Sequence, residues 1–292
     1  MSTALPYAHG EPPASGLLRA RPEDFRVEET LGFEPSGEGE HAFLLVEKTG
    51  ANTEWVARQL ADAAGAAPLA VGYAGLKDRH AVTRQTFTVQ LPGRADPHWR
   101  ALEIPGVRVL AVTRHNRKLK RGAHRGNRFR IRLRGVRGDF GAVDARIALI
   151  RSRGVPNYFG EQRFGRDAQN LALAEALFAG RRMPRAQRGF ALSAARAELF
   201  NALLARRVAD QVWDRALDGE VFMLDGSNAI FGPEPWNEEL ARRLATRDIH
   251  PTGPLWGRGE LRSTAAARTL ESEVAIAHAA LADGLERAGL GQ

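Results

Sequence analysis

Four polar residues in a row, Lys77-Asp78-Arg79-His80, stand between two apolar stretches. A carboxylate flanked by Lys and Arg is favoured as the anion at neutral pH. An anion held rigidly at the end of a strand can act as a nucleophile. Asp in such a place is more often a turn or helix-cap residue that accepts from backbone N–H groups. On residue types alone both readings stay open. Other chemistries find less support. The eight His are scattered, with no HExxH and no His–carboxylate pair at ligand spacing. There is no P-loop, no GxGxxG and no GxSxG elbow. The expectation is carboxylate chemistry with no metal and no cofactor.

The elements around Asp78 must place it. Leu69 to Ala74 is an apolar run that suits a buried strand, and Gly75 permits a turn. Phe87, Val89 and Leu91 alternate as in a half-buried strand. In Asp24–Leu31 the alternation sets Phe25, Val27 and Glu29 on one side and charges on the other. His41–Lys48 reads as a more buried strand. Thr53 is expected to cap a helix, with Glu54 at its positive end and Val56, Leu60 and Ala63 facing inward. Val107–Val112 is a further strand. Val143, Ile147 and Ile150 mark a helix that ends before Gly154, beyond which helical periodicity dominates. The last helix begins near Thr269 and turns Leu270, Val274, Ala277, Leu281 and Leu285 inward, with His278 a structural residue at the border of that face.

With 43% hydrophobic and 26% charged residues in 292, the chain is of the globular class, in one large or two ordinary domains. It has no Cys, which removes disulfides and thiolate metal sites and fits a reducing compartment. The first residues lack the pattern of a signal peptide, and no uncharged apolar run reaches the length of about 18 residues that a membrane span needs. A cytoplasmic protein is expected. The net charge of +8 is unevenly spread: residues 1–40 carry eight acids and three bases, whereas residues 114–134 carry ten Lys or Arg and no acid. Such a concentration points to a polyanion, most simply nucleic acid. In its second half Phe129, Ile131 and Leu133 alternate with Arg128, Arg130, Arg132 and Arg134, so a strand would pack one set into a core and show the other to solvent. The plain alternative is an edge strand guarded by charge. The absence of paired acids favours phosphate contact, and the strand-like pattern disfavours an amphipathic membrane anchor.

The stretch GYAGLKDRHAVTRQ, Gly72 to Gln85, resembles the catalytic motif of the transfer-RNA pseudouridine synthase D family. LLRARPEDFRVEE from Leu17 is similar to that family's N-terminal motif, and RKLKRGAHRGNRFRIRLR from Arg117 to its second core motif. GVPNYFGEQRFG from Gly154 and LSAARAELFNALL from Leu192 resemble its insertion domain. These segments stand in the family's order and cover nearly the whole chain.

The resemblance implies an α+β fold. A catalytic domain over residues 1–153 would carry a mixed, mainly antiparallel sheet of the pseudouridine synthase type. A largely helical insertion domain would follow over 154–292, with structured RNA held between the two. It implies isomerisation of uridine to pseudouridine, at position 13 of tRNA, by a monomer. Asp78 matches the nucleophile, and Phe25 and Asn127 match substrate-contacting residues. Arg19 stands where the family has a basic active-site residue, commonly Lys. Phe129 stands where other pseudouridine synthase families set a Tyr against the uracil. Arg117, Lys118, Lys120, Arg121, Arg125, Arg128 and Arg130 are the expected phosphate contacts. The family's closing strand region, with an LPAGS-type motif and another substrate-contacting Phe, is not found, so the C-terminal return to the catalytic domain is expected to be missing. The alternatives are a non-catalytic RNA-binding protein or RNA chaperone, and a carboxylate-dependent hydrolase.

Overall fold

The computed structural model describes residues 5–227 and 229–291. The chain divides into two compact units, one from Pro13 to Phe140 and one from Gly141 onward that also takes in the segment before Pro13. The division falls between Phe140 and Gly141, whereas the sequence reading set a boundary after residue 153, at the end of the helix that begins there. The fold is α+β, as the family resemblance implied.

The first unit is built on strands. In chain order they are β1 (Ala14–Leu17), β2 (Phe25–Leu31), β3 (His41–Thr49), the helix α1 (Thr53–Ala63), β4 (Val71–Tyr73), β5 (Val82–Gln90), β6 (Val107–His115), β7 (His124–Ile131) and β8 (Arg134–Gly138). The main sheet runs β6-β3-β5-β2-β7, with β4 added beside β5, and β1 pairs with β8 as a separate ribbon. Among the described strands of this unit the β2–β5 pairing is parallel and the others are antiparallel.

Alternation explains the core. Ala42, Leu44 and Val46 of β3 share a face with Phe87 and Val89 of β5, and α1 covers it with Val56, Ala57, Leu60 and Ala61. The same parity carries Lys48, Gln85 and Glu29 toward the interior, where apolar side chains would be expected. On the opposite face the row Arg108–Glu47–Arg84–Glu28 alternates in sign across four strands. Glu47 accepts from Arg84 at 2.9 Å and from Arg108 at 2.8 Å. Such cross-strand pairs fix register more than they add stability.

Several expectations change here. Asn52, not Thr53, occupies the cap position of α1, and the Thr53 hydroxyl is used elsewhere. Ala63 lies on the exposed side of α1. The run Leu69–Ala74 forms only the three-residue β4, with Leu69 exposed on the turn before it. The largest correction concerns β7. Phe129, Ile131 and Leu133 were expected in a core, yet they are 54%, 48% and 53% exposed. Among the described residues strand β7 is the sheet's edge, paired only with β2, and α1 packs over β3 and β5 instead.

Asp24, just before β2, is fully buried and receives two hydrogen bonds from Arg134 of β8, at 2.6 and 2.8 Å. Those bonds hold its carboxyl below the ordinary 3.8, against the upward push of burial. A carboxylate lowered in this way stabilises the fold above its unfolded value and loses that contribution as pH falls through the folded value. Asp24→Asn should therefore melt below the wild type at pH 7. In a thermal series the gap should close as pH drops below 3.8.

The second unit is mainly helical. Its elements are α2 (Phe140–Arg153), α3 (Gln169–Phe178), α4 (Arg185–Ala209), β9 (Phe222–Leu224), β10 (Ile230–Phe231), α5 (Glu238–Ala245), β11 (Ile249–Pro251), α6 (Ala265–Ala277) and α7 (Ala279–Arg287). Its core joins α3, α4, α6 and α7 through Ala174, Ala195, Leu199, Ala275 and Leu285. Helix α2 forms as expected but buries no residue; Arg153 holds it to Asp214 at 2.7 Å. The expected last helix is two helices, broken at His278. Among the described residues no helix is long and apolar enough to cross a membrane.

Candidate active site

Asp78 lies in the loop between β4 and β5, half-buried, and its surroundings come from distant parts of the chain. The loop begins where Gly72 lets the backbone of Leu119 cross β4; a Cβ there would meet the Leu119 carbonyl oxygen at 2.5 Å. The crossing segment is held by the Leu119 N–H on Thr88 Oγ1, at 3.0 Å, and the Gly122 N–H on the Ala74 carbonyl, at 2.7 Å. The two core motifs seen in the sequence are thus packed on each other.

The loop is then tied at Gly75, Lys77 and Asp78. Gln85 Nε2 donates to the Gly75 carbonyl at 3.2 Å. The Lys77 N–H donates to Thr53 Oγ1 at 3.0 Å, and that hydroxyl donates to Gln85 Oε1 at 2.9 Å. Lys48 Nζ donates to the carbonyls of Ala51, Lys77 and Asp78 at 2.8, 3.3 and 2.9 Å. Buried donors placed this way fix a loop because leaving a partner unsatisfied is costly.

Neither flanking cation pairs with Asp78. Lys77 turns inward to Glu29, its Nζ 2.7 Å from Oε2, with both side chains almost wholly buried. The approach is a charge contact, off the direction of a formed hydrogen bond. Glu29 Oε1 accepts from the Thr86 N–H of β5 at 3.1 Å, beyond the last parallel pair of β2 and β5, Glu28 and Arg84. Arg79 donates to the Gly50 carbonyl. The cation beside Asp78 is Arg19, its Nη2 3.7 Å from Oδ1.

Arg19 sits in the left-handed backbone region, at φ 57°, which costs a non-glycine residue on the order of 1 kcal/mol or more. Its carbonyl is bonded to His80 Nε2 at 3.1 Å. Its guanidinium lies 4.1 Å from the centre of the Phe25 ring, a cation–π contact. Phe25 is buried with Val27 and Ala81 and meets Phe129 edge-on, ring centres 5.9 Å apart. A continuous path therefore runs Asp78–Arg19–Phe25–Phe129. Phe129 faces Val27 across the β2–β7 ladder, and Asn127 faces Glu29, so Asn127 and Phe129 share a face of the sheet.

The basic residues are spread differently. Arg128 and Arg130 stand opposite Glu28 and Arg26, on the other face of β7. Arg117, Lys120 and Arg125 are exposed. Lys118 reaches the Leu69 carbonyl. Arg121 lies over the Tyr73 ring, 4.4 Å from its centre, and donates to its hydroxyl.

Lys48, Thr53, Gln85 and Glu29 escaped the sequence reading as site residues. Their signal was present: a Lys, a Gln and a Glu at positions whose parity belongs to the core.

The loop thus offers the Asp78 carboxylate beside the Arg19 guanidinium, with the exposed ring of Phe129 beyond Phe25. Residues 3–180 match the family model described as tRNA pseudouridine synthase D. A tRNA pseudouridine synthase D of Methylococcus capsulatus is 55% identical over 98% of this chain and 81% of its own length. That of Xanthomonas axonopodis pv. citri is 51% identical over 100% of this chain and 84% of its own. The fold matches a crystal structure from Methanosarcina mazei, provisionally named tRNA pseudouridine synthase D, with TM-score 0.74 at 20% identity, over 96% of this chain and 82% of that one. The chain belongs to the tRNA pseudouridine synthase D family.

Proposed function

We propose that this chain isomerises uridine to pseudouridine in tRNA, with Asp78 as the nucleophile. The supporting observation is the path from the Asp78 carboxylate through Arg19 and Phe25 to the exposed ring of Phe129. The target, at position 13 by family resemblance, must leave its stack, at a cost on the order of a few kcal/mol. Stacking on Phe129 offsets roughly 1–3 kcal/mol of that cost. Asn127, on the same face, offers amide donors and an acceptor to a uracil edge. The N1–C1′ bond breaks, the uracil turns and C5 bonds to C1′. The C5 proton leaves to solvent and N1 gains one, so the product is an isomer. The enzyme acts as a monomer in the cytoplasm.

Proton loss from C5 gives the test. With tRNA carrying tritium at uridine C5, the chain should release tritium to water. A hydrolase would instead release labelled uracil or cut RNA, and a binding protein would release nothing.

Phosphate contact is tested apart from chemistry. Each contact contributes about 0.7–0.9 to the slope of log K against log salt. Arg128→Gln with Arg130→Gln should flatten that slope by roughly 1.4–1.8 and weaken binding to all RNAs alike. An unchanged slope would remove these residues from the phosphate-binding set.

A further inference from the structure

Lys48 is a buried cation to which the proposed reaction assigns no step. It lies at the end of β3 and is 0% exposed, where a Lys is rarely found without a reason. Its three ammonium hydrogens meet three backbone carbonyls: Ala51 before α1, and Lys77 and Asp78 in the reactive loop. No side-chain carboxylate pairs with it within 4.0 Å among the described residues. The carbonyl of the residue that carries the carboxylate is thus held directly.

We propose that Lys48 is a positioning residue for the reaction, a three-way ammonium clamp that fixes the backbone of Lys77 and Asp78 and so sets where the Asp78 carboxylate stands. The clamp rests on Asp78 being the reactive group. It differs from the Gln85 and Thr53 contacts in one respect: it can lose a proton. A neutral amine has two N–H groups and a lone pair. Set among three carbonyl oxygens, it must turn its lone pair toward one of them and release it. Burial is the main cause that pulls Lys48 down to about 8; Asp78 pushes the other way, and Lys77 adds to the lowering. Those two are the charged groups of the loop that act on it. From β5 it faces Thr83, which does not titrate in this range, and at the start of α1 Thr53 is neutral as well.

The signs separate positioning from folding. A Lys lowered from 10.5 to about 8 makes its contribution to stability in full above 10.5 and loses it as pH falls through about 8. Between pH 7 and 9 this group therefore raises stability as pH rises, while the clamp loosens. Activity and stability should move in opposite directions, which a merely structural lysine would not produce.

Two measurements on the full chain test this. The first is single-turnover pseudouridine formation from pH 6.5 to 9, beside thermal melting over the same range. The wild-type rate should fall with a midpoint near 8 while the melting temperature holds or rises. Lys48→Met should be slower by about a hundredfold at pH 7, the scale of a small misplacement of a reacting group, with KM for tRNA within about threefold and no alkaline limb. A Lys48→Met rate equal to wild type, or an alkaline limb that persists in it, would overturn the proposal. The second measurement needs neither activity nor a variant. Amide-exchange protection factors, corrected for intrinsic rate, should drop about tenfold or more in the 77–80 loop between pH 7 and 9 while β3 and β5 keep theirs. Unchanged loop protection would overturn the clamp even if the enzyme is active. Loss of loop protection in a chain that makes no pseudouridine would uphold the clamp and sink the assignment of function instead.

Discussion

Asp78→Asn should abolish pseudouridine formation while the protein stays folded and binds tRNA as well as before. The Asn keeps the shape and the loop backbone that Lys48, Gln85 and Thr53 hold. It removes only the anion. Loss of a nucleophile from an otherwise intact site lowers turnover by about 10⁴-fold or more. Affinity should hold or rise slightly, because one negative charge near a phosphate chain is gone. Arg19 loses its partner, but its guanidinium still rests on Phe25. Single-turnover rates and a filter-binding constant on the same preparations check the point. Turnover within tenfold of wild type would remove Asp78 from the reaction.

Glu29→Gln should be the most damaging change that leaves Asp78 itself untouched. Lys77 and Glu29 are 4% and 1% exposed, so the variant leaves a buried ammonium without its counter-charge. Breaking one side of such a pair costs about 3–5 kcal/mol. For a unit of this size the melting temperature should fall on the order of 10 °C. Activity should fall with it, because Lys77 directly precedes Asp78 and its carbonyl is held by Lys48. The double variant Glu29→Gln with Lys77→Met removes both charges and should recover much of the stability, since an apolar pair of similar volume suits a buried site. A double variant no more stable than Glu29→Gln would show that the charge pair is not what the single change breaks.

Much of this site was legible in the sequence, and the rest was hidden for identifiable reasons. The contiguous motif around Asp78 marked the loop between β4 and β5, and the alternation in β2, β3 and β5 marked the sheet. What the loop's neighbours do was not legible. Lys77 and Arg79 flank Asp78 in sequence, yet successive side chains leave a loop in different directions. The paired cation is Arg19, brought close by tertiary structure. Lys48, Gln85 and Glu29 could have been noticed as polar residues on core-facing positions, although parity alone does not name their partners. Alternation in β7 correctly separates Phe129 and Ile131 from the arginines, but it says nothing of whether a face is covered. The break at His278 carries no Pro or Gly, and the apolar stripe continues across it, so periodicity reads one helix where there are two.

The most direct test of the central claim is base-resolved mapping of pseudouridine in tRNA incubated with the full 292-residue chain, with Asp78→Asn as the control. One new pseudouridine should appear in the tRNA, at the position-13 uridine, with the wild type and be absent with the variant. Bound but unmodified tRNA, or the same new pseudouridine with Asp78→Asn, would contradict it.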